Sequence, residues 1–548
     1  MDQELANGRR EGHAALDDPV LVRQAGVQDR SGPADHGLTE ARDLGDTTRI
    51  ADIVDRWGVD LAHGPYADLV YEAAAELPLE LGENRPGLAF RFEDLGRLPI
   101  GTTPVTLPRT PDEARAEFGR NGDLRLRQAL VPLATRRRLG RYDEALTIAY
   151  AGSPLAEANY YPWYGRGSQI LPYWYLQAGI TCLEAGELET AERFYLKAWT
   201  YRGRDPYGFV SRDIAGKLAI LTAFTGDHVA SLEWLDRGRT AGRRADLWVD
   251  RFVESTLGCA AAMEAVDALA PDAERLLLAA CHPGQRDGHW PIFVWAHVQH
   301  ALAHGDVARA RRHLQDAFAV QPSWLIEVGL AASLIPLARA QTHLAAGQAN
   351  QALTELDGAP DALALTRVLR ARILLLAGQA EQAIEIIEAM LALETTGTRA
   401  RTEALFVAAC ARLTSGDRSG AVAAARMAAS AATERQDLRA LATVPRAALD
   451  DLAADVPSLP PLLGALDERG IGEVYPPSIQ LVSVTEREQD LLRELTSGQT
   501  LGQIAEAHFV SVNTIRTHLA NLRRKLGARS RDEVLAKARL LGLLDKTR

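Results

Sequence analysis

Residues 485–526 read TEREQDLLRELTSGQTLGQIAEAHFVSVNTIRTHLANLRRKL, and this stretch decides how the C-terminal end of the chain folds. Capping boxes within it and just after it predict helix starts, because each pair of side chains satisfies backbone N–H groups that a helix start leaves free. The pairs are Thr485 with Glu488, Thr500 with Gln503, and Ser530 with Glu533. Gly498 is a natural helix end, and Ser511 is a favourable N-cap. The pattern therefore predicts four short helices.

The apolar residues of this stretch recur at helical spacing and predict one small core. They are Leu491, Leu492, Leu495, Ile504, Ala505, Val510, Ile515, Leu519, Leu522 and Leu526. A short turn at 508–511 separates the second predicted helix from the third. Two helices joined so tightly form a helix-turn-helix, in which the second helix enters the major groove of DNA.

The distribution of charge favours a nucleic-acid partner for this segment alone. Residues 511–531 contain six Lys or Arg and no Asp or Glu, and residues 485–548 carry a net charge of +4. The rest of the chain carries a net charge of −15. An acidic protein with one basic terminal module indicates local phosphate binding. The alternative is a solvated basic face on an ordinary helical hairpin.

The segment resembles the C-terminal helix-turn-helix domain of the LuxR-type transcription regulators. The residues that match the family pattern are Thr485, Arg487, Glu488, Gly498, Thr500, Ile504, Ala505, Thr514, Ile515, Arg516, His518, Asn521, Leu522, Lys525, Leu526, Ser530, Arg531, Gly542 and Leu543. The match covers about an eighth of the chain. It implies a four-helix domain over residues 485–548 that binds double-stranded DNA.

A third helix starting at Val512 would place four side chains on one face towards the groove, those of Asn513, Arg516, Thr517 and Ala520. We expect Arg516 to read guanine, with Thr517 beside it, because arginine pairs with the guanine edge in the major groove. The residues expected to hold phosphates are Arg523, Arg524, Lys525 and Arg531. The candidate DNA-binding residues are Ser511, Asn513, Thr514, Arg516, Thr517, His518, Ala520, Asn521, Arg523, Arg524, Lys525 and Arg531.

The resemblance also implies that the fourth helix, about 531–542, makes the module a homodimer on a two-part site. The candidate dimerisation residues recur at helical spacing and are Val534, Leu535, Ala538 and Leu541. The alternative is that these residues only close the core of one module.

The middle of the chain repeats a glycine followed five residues later by a small residue. The pairs are Gly140/Ala145, Gly186/Ala191, Gly226/Ser231, Gly305/Ala310, Gly347/Ala352, Gly378/Ala383 and Gly416/Ala421, with Ala268/Ala273 as a degenerate member. Glycine allows a tight reversal, and the small residue lets the second helix pack closely on the first. The pattern predicts an all-α chain in which a tetratricopeptide-like solenoid of about eight helical hairpins precedes the C-terminal domain.

The first half of this array is rich in aromatic residues, and these could either fill the hairpin core or line a ligand groove. The candidate effector-binding residues are Tyr160, Tyr161, Trp163, Tyr164, Arg166, Tyr173 and Trp174.

Motifs for catalysis and cofactor binding are absent from the sequence. It contains no P-loop, no G-x-S-x-G, no H-E-x-x-H and no glycine-rich dinucleotide turn. Arrays of this kind in the resembled family usually accompany an ATPase module. Because this sequence has no P-loop, ATP should not be the switch here. His297, His300 and His304 share one helix face, but no further ligand group completes a metal site. We expect no enzymatic activity, no cofactor and no metal.

The cysteines and the apolar segments indicate the compartment. Cys182, Cys259, Cys281 and Cys410 lie far apart, as in proteins of a reducing cytoplasm. The N-terminus lacks the apolar region of a signal peptide. No apolar run reaches the length of about 18 residues that is needed to cross a membrane. We expect a cytoplasmic protein without a membrane partner.

Composition predicts the remaining boundaries. Residues 1–45 are polar and are expected to be disordered. Residues 46–123 would cap the solenoid, which would occupy residues 124–451. The proline-rich stretch 452–484 would be a linker with one short helix near 461–469.

The leading hypothesis is a transcription regulator, an activator that contacts RNA polymerase, whose solenoid senses a small molecule or a protein. In that hypothesis the acidic solenoid could hold the basic module when no effector is bound. The alternative function is a protein–protein adaptor whose terminal module dimerises without binding DNA.

Overall fold

The computed structural model describes residues 32–62, 66–108, 110–158, 170–205, 209–241, 250–280, 288–360, 362–393, 397–482 and 484–544. The ordered elements in these ranges are helices, without a β-strand, which confirms the predicted all-α class. In the same ranges, none of the helices combines the length and the apolar character needed to span a bilayer. Residues 1–31 of the predicted tail lie outside the described residues.

The N-terminal helices form a small unit with a core of its own. They are α1 (Gly32–Asp43), α2 (Thr47–Ala62), α3 (Ala67–Glu76) and α4 (Pro86–Asp94), with a 3₁₀ turn at Leu79–Gly82. The predicted tail is wrong for residues 32–43, because α1 packs against α2 and buries Leu38 and Ala41 completely. Two apolar residues in a polar segment are enough when a neighbouring helix covers them.

The middle of the chain is a series of antiparallel helix pairs in which neighbouring pairs pack against each other. Its helices are α5 (Pro111–Arg138), α6 (Tyr142–Ala158), α7 (Leu171–Ala185), α8 (Leu188–Thr200), α9 (Val210–Thr225), α10 (His228–Thr240), α11 (Asp250–Asp267), α12 (Ala273–Ala280), α13 (Trp290–Ala303), α14 (Val307–Val320), α15 (Ser323–Ile326), α16 (Gly329–Ala345), α17 (Ala349–Asp357), α18 (Ala364–Leu376), α19 (Ala380–Leu391), α20 (Thr398–Thr414) and α21 (Arg418–Glu434). Helix α5 starts ahead of the predicted boundary at residue 124.

The repeat of glycines and small residues describes the hairpin turns. All seven turn glycines have a positive φ, between 70° and 93°, which is the left-handed region where glycine avoids a steric penalty. At the degenerate turn Leu269 takes this conformation instead, with a φ of 51°. The small residue that follows each turn is fully buried in every hairpin, including Ser231 and Ala273. The local signal therefore specified each reversal.

The array curves until distant hairpins meet, so that α16 packs on α7, and α20 packs on α9. Arg399 of α20 donates to the carbonyl oxygens of Ala223 and Phe224 at 2.6 and 2.8 Å. Its guanidinium also pairs with Asp267 at 2.6 Å. Both charged side chains are almost completely buried, so the ion pair lies inside the closed array.

The predicted linker is largely wrong, because most of residues 452–484 pack onto the array. Two short helices, α22 (Leu438–Leu441) and α23 (Arg446–Leu452), lead into α24 (Leu459–Glu468). Leu459, Leu463 and Tyr475 are buried in the main core. Two of the prolines that suggested a linker, Pro460 and Pro461, lie in the first turn of α24, where proline is tolerated, and the predicted short helix near 461–469 is α24 itself. The true connection is the strap, residues 476–482.

Candidate nucleic-acid interface

The C-terminal domain contains four helices, α25 (Glu486–Thr496), α26 (Leu501–Ala507), α27 (Val512–Leu526) and α28 (Arg531–Leu540). Two predicted capping boxes are complete. Thr485 N–H donates to Glu488 at 2.8 Å, and Thr500 N–H donates to Gln503 at 2.9 Å. The four helices share a core that is separate from the core of the array.

The third capping box is only half formed. Ser530 Oγ accepts from the Glu533 N–H at 3.1 Å, as predicted. The Glu533 carboxylate accepts instead from the Arg529 N–H at 2.7 Å, so it caps one residue earlier.

Helix α27 has one buried face and one exposed face. Ile515, Leu519, Leu522 and Leu526 are buried in the domain core. The groove face, defined by Asn513, Arg516, Thr517 and Ala520, is exposed to solvent. Arg524 continues this exposed face towards the C-terminal end of the helix. Since α27 contains no acidic residue, the groove face presents hydrogen-bonding groups and positive charge to a partner.

Ser511 and Thr514 set the start of this helix. Ser511 Oγ accepts from the Thr514 N–H at 3.1 Å and lies 2.8 Å from the Thr514 hydroxyl. The cap leaves other N–H groups of the first turn pointing along the helix axis, where an anion is favoured. Of the remaining candidates, His518, Asn521 and Arg523 are half-buried along the sides of α27.

Two predicted phosphate contacts are used inside the domain. Lys525 Nζ pairs with Glu488 Oε2 at 2.7 Å, and Glu488 is buried. Burial opposes ionisation of Glu488, but the hydrogen bonds from Lys525 and Thr485 outweigh it and lower its pKa. Arg531 donates to the Leu495 carbonyl oxygen at 3.0 Å, at the end of α25. These contacts fix α27 and α28 against α25, which spacing along the chain could not reveal.

The predicted dimerisation residues mostly face inward. Val534, Ala538 and Leu541 belong to the domain core, and Leu535 is half-buried. The alternative that these residues close the monomer core describes them better. The outward face of α28 carries Leu540, which is 70% exposed, and Ala536 one turn before it.

The predicted effector residues divide into two groups. Tyr160, Tyr161, Trp163, Tyr164 and Arg166 lie outside the described residues. Tyr173 and Trp174 are buried, and Tyr173 packs edge-on against Phe209. Gly152 lies directly against the Trp174 ring, where a Cβ would have no room. Core packing is the observed role of these two side chains.

Two of the three histidines, His297 and His300, fill packing positions in α13, whereas His304 at its end is exposed. His297 and His300 are buried. Burial, with the nearby charges of His304 and Arg309, lowers the pKa of His300 to about 4. Within the described ranges, no three His, Cys, Asp or Glu side chains are grouped to hold a metal ion.

Two features were not anticipated from the sequence. Phe509, in the turn before α27, is 97% exposed and has a φ of 54°. The strap is held by the array, since Asn350 Nδ2 donates to the Val482 carbonyl at 2.7 Å and the Val482 N–H donates to Asn350 Oδ1 at 3.1 Å. Gly542 packs against Gln351 next to this contact.

Comparison with known protein families identifies a family match for the C-terminal segment. Residues 482–538 match the family described as bacterial regulatory proteins, luxR family. No curated protein matches the chain. The matched residues span α25, α26, α27 and nearly all of α28, so the helix-turn-helix observed here coincides with the family's own domain. The C-terminal part of this chain is therefore a LuxR-type helix-turn-helix domain.

Proposed function

We propose that the protein is a DNA-binding transcription regulator that activates transcription through RNA polymerase, and that its helical array senses a small molecule or a protein partner. The exposed groove face of α27 carries this proposal. It belongs to a domain whose family is regulatory, and it is exposed among the residues that the structure describes.

The side chains of α27 divide into two kinds of DNA contact. Asn513, Arg516 and Thr517 lie towards the N-terminal end of the helix, which is the part that reaches base edges in helix-turn-helix proteins. Arg524 lies further along, where it would bind phosphate. Lys525 and Arg531 would act indirectly, because their contacts with Glu488 and Leu495 hold α27 in place.

Dimerisation is proposed through the outward face of α28 instead of the residues first predicted. Leu540 and Ala536 form a small exposed apolar face opposite the side that packs in the domain core. A second copy placed on this face would present two groove faces to a two-part DNA site.

The test is selection of bound sequences from random DNA by the full chain, followed by mobility shift on the selected site and on unrelated DNA. A regulator should bind its selected site at least about a thousandfold more tightly than unrelated DNA at physiological salt. Failure to select any sequence would favour the adaptor alternative, and equal binding to all DNA would remove sequence recognition from the proposal.

A further inference from the structure

A cleft of about 720 Å³ lies where the curved array meets itself. It is called the seam cleft here. One side is formed by the turns of the hairpins α7–α8 and α9–α10, and the other by the first turn of α18 and the junction of α19 with α20. This volume is within the range of small-molecule sites in proteins. Because the two sides come from opposite ends of the array, the cleft exists only in the closed structure.

The floor of the seam cleft is apolar. Leu221 and Phe224 come from α9, Leu363 and Leu365 from the start of α18, and Met390 from α19. All five side chains are more than nine-tenths buried in the array, whereas Leu393, which also lines the cleft, is 45% exposed. A ligand with an apolar body would gain by covering the exposed Leu393 above this floor.

The rim of the cleft is acidic. Glu187, Glu189, Glu192 and Asp227 line it, against the guanidinium groups of Arg367 and Arg399. Arg399 forms a buried ion pair with Asp267, which Arg439 also contacts at 3.2 Å. The excess of carboxylates sets the sign of the potential that a ligand meets.

The neighbouring carboxylates already repel each other in the structure. Partial burial, together with the charges of Asp227 and Glu189, raises the pKa of Glu192. A cation placed between these groups would relieve this repulsion.

We propose that the seam cleft is a binding site for an amphipathic organic cation, a protonated amine on an apolar body. The apolar body would cover the floor, and the ammonium group would lie among Glu189, Glu192 and Asp227. The inference rests on the proposed sensing role of the array and names the chemistry of its ligand.

The position of the cleft connects it with the DNA-binding domain. Helix α18 lines the cleft at its first turn. At its last residue, the Leu376 carbonyl oxygen accepts a hydrogen bond from the Ile479 N–H of the strap at 3.0 Å. A bound ligand would therefore contact the same helix that holds the strap. A ligand can shift the strap only if it binds one arrangement of α18 more tightly than another.

The test measures binding of octylammonium, butylammonium and octanoate to the full chain by calorimetry in the absence of DNA. Octylammonium should bind, and shortening its chain should weaken binding by up to about fourfold per methylene. Octanoate should not bind measurably. Failure of octylammonium to bind, or equal binding of octanoate, would overturn the site.

Matched variants locate the binding. The double variant Glu189→Gln/Glu192→Gln should weaken octylammonium binding by at least about fivefold. The control Glu381→Gln/Glu385→Gln changes two exposed glutamates of α19 at similar spacing and should leave binding unchanged. Ala364→Trp, which fills the cleft without changing charge, should abolish binding. Native affinity in either cleft variant would overturn the proposal.

DNA binding of the same preparation separates this inference from the proposed function. A chain that selects DNA but does not bind octylammonium overturns only the ligand site. A chain that binds octylammonium but selects no DNA overturns only the regulator.

Discussion

At the scale of single residues, the small side chain after each hairpin turn controls how closely two helices approach. Ala383 of α19 is fully buried, whereas Ala389 of the same helix is exposed. Both are alanine in a helix, and helix propensity barely distinguishes alanine from leucine. A leucine at each position therefore isolates the effect of packing.

We expect Ala383→Leu to destabilise the protein by about 1–3 kcal/mol, because the larger side chain has no space between the two helices of its hairpin. Ala389→Leu should change stability by less than about 0.5 kcal/mol. Thermal and urea unfolding of the two variants would measure this difference. Equal melting temperatures would mean that the repeat of small residues has no packing role.

A second residue-scale prediction concerns base reading by Arg516. Arg516→Ala should cost about 1–3 kcal/mol on the selected site and relax the preference at one base pair. The control is Arg493→Ala, which removes an exposed arginine of α25 paired with Asp490. Mobility shift on selected and random DNA would compare the two. An equal loss on both kinds of DNA would reassign Arg516 to the phosphate backbone.

At the scale of helices, α28 shows that the spacing of apolar residues predicts a shared face but does not predict which face is buried. Its helical spacing identified an apolar stripe correctly, but Val534 and Ala538 lie in the domain core. The opposite face, with Leu540, remains exposed. Spacing shows which residues share a face, whereas only contacts with α25 and α27 show which face is buried.

We expect Leu540→Glu to weaken binding to a two-part DNA site while leaving binding to a half-site unchanged, because it introduces like charges at the proposed interface between copies. Leu232→Glu, at an exposed leucine of α10, should affect neither. Sedimentation and mobility shift on both sites would show the change. Dimeric binding by Leu540→Glu would exclude this face of α28.

At the scale of the whole molecule, the strap decides how the DNA-binding domain is placed on the array. Asn350 makes two hydrogen bonds with the backbone of Val482, and Gly542 packs nearby against Gln351. This docking leaves the groove face exposed, so the expected masking of the basic helix by the acidic array is not the arrangement in this structure.

Asn350→Ala should release the strap without unfolding either part. Each lost hydrogen bond contributes about 1 kcal/mol, so hydrogen exchange of the Val482 amide should accelerate by about fivefold to thirtyfold. Gln382→Ala, at an exposed amide of α19, is the control. Exchange measured by mass spectrometry would resolve the strap from the array. Unchanged exchange in Asn350→Ala would mean that other contacts hold the domain.

The sequence alone determined the features whose causes are local. The helix class, the turn glycines, the complete capping boxes and the groove face of α27 each depend on residues within a few positions of one another, so their spacing was sufficient. Tertiary structure alone decided the features that join distant residues. Arg399 meets Asp267 across 132 positions, Leu459 and Tyr475 pack on the array, and Lys525 pairs with Glu488. Burial depends on which surface arrives from elsewhere in the chain, and local spacing does not contain that information.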